Sequence, residues 1–194
     1  MATAENKVFY GLSNAHYVPI TEMVANGPTY GTPVHFPGSV AWGPEPEGES
    51  TPFRADNIDY FISPGNNGYS GDWEVARVID AFAKDIYGME EGTNGELVEV
   101  VQGEAKAFAL IVQIEGDKSA SRWVYPYCTA ERPSAEYGTT EDGAIEPGTE
   151  TIPVTVRPVK CGDKMITRYR ISADASNYDT ILTTFALPTF TTSA

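Results

Sequence analysis

Two histidines and two cysteines are all that 194 residues hold of the side chains most often used to bind metals or attack substrates. Cys128 and Cys161 are too few and too far apart for a disulfide framework or a zinc ligand set, so free thiols are expected. His16 follows Asn14-Ala15 in a strand-like N-terminal pattern, and neither it nor His35 has a second ligand at metal-binding spacing. A satisfied structural histidine is the simpler expectation, and no metal is expected. Basic residues are scarce as well, 13 against 27 acids, for a net charge of −14. Tight nucleic-acid binding needs clustered Lys and Arg to replace phosphate counterions, so this balance argues against it. No apolar run nears the ~20 residues that cross a bilayer. The opening Met-Ala-Thr-Ala-Glu-Asn-Lys lacks a basic region followed by an apolar core, so no signal peptide is expected. The expectation is a protein that stays in the cytoplasm where it is made unless something carries it elsewhere.

Catalytic signatures are equally sparse. The chain has no Gly-x-x-x-x-Gly-Lys-Ser/Thr phosphate loop, no His-Glu-x-x-His and no Gly-x-Ser-x-Gly elbow. Gly11-Leu12-Ser13-Asn14-Ala15 comes nearest to the elbow, but its setting is strand-like rather than strand-turn-helix. Acids are plentiful enough for a carboxylate pair. Asp72 and Glu74 would leave one face of one strand about 7 Å apart by strand rise, a separation that glycoside hydrolysis could use. A solvated acidic stripe explains them more simply. Asp56-Asn57-Ile58-Asp59 lacks the residue order and distal Glu of a calcium loop, and reads as an Asn/Asp-rich turn. No catalytic residue and no cofactor are expected, and the chain reads as a non-enzyme.

What the chain does have is enough residues for one domain with a sizeable core, an ordinary globular composition, and strand periodicity. Tyr69, Gly71, Trp73, Val75, Arg77 and Ile79 alternate with Ser70, Asp72, Glu74, Ala76 and Val78. From Lys106, Phe108, Leu110, Val112 and Ile114 face one way while Ala107, Ala109, Ile111 and Gln113 face the other. With both faces largely apolar, this predicts a central strand. Asp117-Lys118-Ser119 turns it back into Arg122–Thr129. A further hairpin is expected with Ile152, Val154 and Val156 on one limb, Cys161-Gly162-Asp163-Lys164 as a turn, and Met165, Thr167, Tyr169 and Ile171 returning. Two short helices are expected. Ile79, Phe82, Ala83, Ile86 and Tyr87 keep one helical face, with Asp80 in the first turn and Gly88 as the stop. Tyr178, Ile181, Leu182 and Phe185 repeat that spacing before Pro188. The fold class is mainly β, a sandwich or partly closed barrel with one or two short flanking helices. One domain spans 1–194, with an N-terminal arm at 1–6 and long loops at 41–68 and 133–149. Loops of that length in a compact chain point to a task.

The run from Glu45 to Tyr60, Glu-Pro-Glu-Gly-Glu-Ser-Thr-Pro-Phe-Arg-Ala-Asp-Asn-Ile-Asp-Tyr, followed from Asn66 by Asn-Asn-Gly-Tyr-Ser-Gly-Asp-Trp-Glu-Val, is dense and patterned. Other pieces stand in order around it. They include Lys7-Val8-Phe9-Tyr10-Gly11-Leu12-Ser13-Asn14-Ala15-His16-Tyr17, Thr29-Tyr30-Gly31-Thr32-Pro33, Pro37-Gly38-Ser39-Val40 and Tyr127-Cys128-Thr129-Ala130-Glu131-Arg132-Pro133, and Ile145-Glu146-Pro147-Gly148-Thr149-Glu150-Thr151 continues the series. Together, over residues 7–188, they make the chain resemble the major tail proteins of long-tailed, non-contractile phages of Gram-positive hosts. The resemblance implies a structural virion protein with no turnover. It implies hexameric rings stacked into a tail tube, assembled in the host cytoplasm with a tape-measure protein, a tail terminator and distal tail proteins. Double-stranded DNA would pass through the lumen without specific binding, and no membrane is involved. On that reading Glu45, Glu47, Arg54, Asp56, Asn57 and Tyr60 are expected at inter-subunit or inter-ring contacts, and Asp72 and Glu74 on the lumen. Rival readings are a β-sandwich module binding carbohydrate or protein through Trp42, Tyr60, Tyr69 and Trp73, a small acid-dependent hydrolase using Asp72 or Glu74, and a tail-completion ring of the same fold that stops at one layer.

Overall fold

Phe108–Ile114, apolar on both faces, is stable only where both faces are covered, and it lies near the middle of one large sheet. The computed structural model describes residues 10–25, 27–48, 50–55, 58–116, 120–135 and 148–190. The first half runs β1 (Leu12–Val24), β2 (Gly27–Tyr30), β3 (Val34–His35), β4 (Ser39–Glu47), β5 (Ser50–Ala55), β6 (Ile58–Pro64) and β7 (Gly68–Val75). A helix, α1 (Asp80–Asp85), and two very short strands, β8 (Glu90–Glu91) and β9 (Leu97–Val98), follow. The second half adds β10 (Phe108–Ile114), β11 (Arg122–Ala130), β12 (Ser134–Ala135) and β13 (Glu150–Val156). The chain then forms β14 (Val159–Cys161), β15 (Lys164–Ile166) and β16 (Tyr169–Ile171), and a 3-10 turn over Thr180–Leu182. The antiparallel order across the sheet is β2-β1-β10-β11-β13-β7-β4, and β3, β16 and β12 add to β1, β11 and β13. The fold is mainly β, as the periodicity requires, but the sheet stays open and closes into no barrel.

Each face of β10 has its own core. Phe108, Leu110 and Val112 join Tyr17, Phe36, Trp73 and α1 on one side. Ala109 and Ile111 join Val18, Val124, Ile171, Ile181 and Phe185 on the other. Phe82, carried into the first core by α1, meets Tyr17, Phe36, Trp73, Tyr87 and Phe108 edge-on, with ring centroids 5.0 to 5.9 Å apart. Tyr17 Oη donates to Asp85 at 2.8 Å, fastening the helix to the sheet. Both the bonded Asp85 carboxylate and burial hold the Tyr17 phenol well above its ordinary value, with burial the larger cause. In β1 a bulge lies between Ser13 and His16, and Asn14, a residue that tolerates the left-handed region, takes φ 49° there. The shifted register buries Ala15, His16, Tyr17 and Val18 in succession.

The predicted first helix is present: Ile79 stays extended as its N-cap, Phe82, Ala83, Ile86 and Tyr87 are buried, and Gly88 (φ 67°) ends it. Two adjoining expectations need correction. The strand from Tyr69 ends at Val75, not Ile79, because the chain turns into α1; Val78 N–H is taken by Glu150 Oε2 at 2.6 Å. The expected helix over Tyr178–Phe185 is only the 3-10 turn. Its apolar stripe is real, since Ile181 and Phe185 are buried, but the intervening threonines favour non-helical bonding. Thr180 Oγ1 donates to the Asn177 carbonyl at 3.2 Å and Thr183 Oγ1 to that of Thr180 at 3.0 Å.

The hairpin after β13 also differs. Gly162-Asp163 does turn the chain, with Cys161 paired to Lys164 and Gly162 at φ 62° as the first central residue. Its limbs are the small β14 and β15, while β13 pairs with β11 and β7, and β16 with β11. Residues 41–68, expected as a loop, are mostly strand: β4 returns along β7, and β5 and β6 pair with each other as a two-stranded extension. Of the loop at 133–149, β12 pairs with β13 while residues 136–147, like Asp117-Lys118-Ser119, lie outside the described residues. Both cysteines are free, as expected, and both are buried.

A candidate functional site on the open side of the sheet

Alternation along three neighbouring strands sorts side chains between the first core and the opposite face. Trp73 and Val75 of β7 and Ile152, Val154 and Val156 of β13 point into the core. The residues between them face out: Ser70, Asp72 and Glu74 on β7, and Thr151, Pro153 and Thr155 on β13. Cross-strand register sets these in rows with β4. Ala41 pairs with Glu74 and Glu74 with Thr151; Gly43 with Asp72 and Asp72 with Pro153; Glu45 with Ser70 and Ser70 with Thr155. Each acid is therefore flanked across the sheet by a small or neutral residue, which avoids the cost of like charges directly opposite. The result is a trough of about 700 Å³ lined by these residues, Gly71, Val154 and, at the far rim, Glu131.

Glycine makes the trough possible at its centre. A Cβ on Gly71 would fall 2.2 Å from the Gly43 carbonyl oxygen, so β4 and β7 approach this closely only without one. Trp73, pointing the opposite way, donates from Nε1 to Ser39 Oγ at 3.1 Å and ties the end of β4 to β7. Thr149 Oγ1 donates to Glu74 Oε1 at 2.7 Å. No Lys or Arg among the described residues lines the trough. Among the described residues no group of three or more His, Cys, Asp or Glu could hold a metal ion. Between the acids the walls are the hydroxyls of Ser70, Thr151 and Thr155, two glycines, Pro153, Ala41 and Val154, with no large apolar or aromatic side chain to set one carboxyl apart from another as an acid–base pair demands. The chemistry available is electrostatic: a surface that attracts cations and repels polyanions.

The expected site residues therefore separate. Glu45, expected at a subunit contact, shares this trough with Asp72 and Glu74. Glu47 stands one repeat further along β4, where Arg157 Nη1 of the same chain reaches Oε2 at 3.0 Å. Arg54 and Tyr60 belong to the β5–β6 extension, and Asp56 and Asn57 lie outside the described residues. Two features escaped sequence reasoning. Glu131 joins the acids because β11 continues the sheet beside β13; Glu131 N–H donates to the Pro153 carbonyl at 2.9 Å. His16 and His35 become neighbours because β3 pairs with β1, their ring centroids 5.0 Å apart. Spacing in sequence gave no sign of that pair. His16 Nδ1 lies 3.0 Å from the Asn14 carbonyl, the satisfied structural role expected of it.

No protein-family model and no curated protein matches the chain in sequence. Among solved structures it is similar to a chain of the anti-feeding prophage baseplate, determined by cryo-electron microscopy with six-fold symmetry. That likeness spans 90% of this chain and 100% of the other, at 9% identity and a TM-score of 0.49. A chain of the anti-feeding prophage tube-terminating cap aligns over 89% and 100%, at 10% identity and a TM-score of 0.44. Neither likeness is close enough to assign a function.

Proposed function

We propose that this chain is a structural virion protein that polymerises as stacked hexameric rings into the tube of a long, non-contractile phage tail, through which genomic DNA is delivered. The observation that carries this reading is the acid-lined trough: a wide area of sheet backed by a full core and, among the described residues, left open with no Lys, Arg or metal-binding cluster in it. An acidic wall repels phosphates, so a duplex slides past it without sticking. The ordered sequence resemblance supports the same reading. A ring is a closed heterologous assembly in which one face of each subunit meets a different face of the next, and stacking adds a second contact that does not close. The β5–β6 extension, which carries Arg54 and Tyr60, is the proposed bridge between rings, and Asp56 and Asn57 are proposed to take part in the same contact. Tape-measure protein, tail terminator and distal tail proteins are the proposed partners, in a virion assembled in the host cytoplasm.

Negative-stain electron microscopy with sedimentation, at rising protein concentration, tests this. Rings and hollow tubes are expected. Rings that stop at one layer would favour a completion ring, and a monomer that stays inert with tail-tip components would favour the binding module. Arg54→Glu should give a folded monomer that does not polymerise; normal tubes would remove the extension from the contact.

A further inference from the structure

Both edge strands of the sheet are poor templates for another strand, since Pro28 sits in β2, and Pro44 and Pro46 in β4, each without an N–H to give. That turns attention to side-chain surfaces as contacts between copies. Two surfaces outside the trough combine exposed apolar side chains with charge of one sign, and their signs are opposite. The first is the excursion between α1 and β10. Residues 85–104 carry six acids and no base. Lys84 and Arg132 pair with Glu91 and Glu99 at its base, which leaves Glu90, Glu96 and Glu104 without a cation among the described residues. Leu97 and Val98, across the β8–β9 ladder from Glu91 and Glu90, are exposed, and Val101 beyond them is 92% exposed.

The second is a cleft of about 220 Å³ between the β1–β2 turn and the β14–β15 hairpin. Met23 and Met165 on its rim are 59% and 64% exposed, large apolar side chains with nothing over them. Residues 157–170 set five bases against one acid, in a chain whose net charge is −14; Arg157 pairs with Glu47 and Arg168 stacks on Tyr69 and Trp123, which leaves Lys160, Lys164 and Arg170. Lys160 lines the cleft itself, and Lys164 adjoins Met165 on the same hairpin. Each surface is exposed in the single chain, so neither covers the other. Scattered exposed apolar residues are ordinary, but apolar side chains set in opposite fields are what a steered, register-fixing contact uses.

We infer that the acidic surface carrying exposed Leu97, Val98 and Val101 of one copy seats against the cleft of Met23, Met165 and Lys160 of the next copy. The contact is heterologous, as ring closure requires, and it rests on the assembling role proposed above.

Charge reversal tests it. Glu90→Lys with Glu96→Lys, or Lys160→Glu with Lys164→Glu, should each weaken self-association at least tenfold in sedimentation. Both pairs combined in one chain should restore it. Independently, a tagged Val98→Cys protein mixed with an untagged Met165→Cys protein should yield a mixed disulfide on oxidation; the native cysteines are buried. Undiminished tubes from both reversals, with no mixed disulfide, would overturn the contact and leave the assembling role standing. A mixed disulfide at high concentration from protein that forms neither rings nor tubes would support the contact and sink the role. Neither assembly nor disulfide would overturn both.

Discussion

One face of the sheet is built in two ways across its width. Over β1, β10, β11 and β16 it is apolar and roofed: Val18, Ala109, Ile111, Val124 and Ile171 lie under Ile181 and Phe185 of the C-terminal segment. Arg122, itself buried, holds that roof in place. Its Nε donates to Gln113 Oε1 at 3.0 Å, its Nη1 to the Tyr178 carbonyl, and its guanidinium stacks 3.6 Å over the Tyr178 ring. Over β13, β7 and β4 the same face is acidic, narrow in side chain and open. The other face of all these strands is uniformly apolar. The open half is thus backed by the core and, among the described residues, uncovered.

That contrast makes graded predictions. On the roofed half, Ile111→Ala removes a fully buried side chain and should cost about 2–5 kcal/mol in denaturant unfolding. On the open half the only comparable damage is steric. Gly71→Ala puts a methyl against the Gly43 carbonyl and should cost about 1–3 kcal/mol, by overpacking rather than by loss of burial.

A pH effect should belong to the roofed half. His16 sits below its ordinary 6.5, first because burial disfavours its charge and then because His35 and Arg122 face it, against an opposing bond to the Asn14 carbonyl. The unfolded chain then takes the proton first, so this contribution is complete above about pH 6.5 and declines as pH falls through that value toward the folded one. Urea unfolding of wild type and His16→Gln on either side of that pH should show a steeper decline in the wild type. Smallest of all, Asp72→Asn with Glu74→Gln should move stability by no more than about 0.5 kcal/mol, since both face solvent on a backed sheet. A large loss there would mean that the trough is part of the fold.

The legible parts of this molecule are those that periodicity encodes. Phe108–Ile114 shows two apolar faces, and that alone places it centrally; Ile79–Gly88 carries its helical face and its stop in the residues themselves. Period two also placed Asp72 and Glu74 on one face. Pairing partners were not legible: nothing in Ile152–Val156 says that β7 and β11 will flank it, so the hairpin and the place of Glu131 were missed. The C-terminal stripe misled because core burial and helical spacing coincide at Ile181 and Phe185, while the threonines between them decide the backbone.

The central claim is that the bare half of the sheet faces inward in an assembly, and Asp72→Cys reads it directly. The two native cysteines are buried, so a polymer-linked maleimide too wide for a tube's bore reports on position 72 alone. The thiol should react readily in dispersed protein and be protected once the protein has assembled. Equal reactivity in both states would put the acidic face outside and contradict the account.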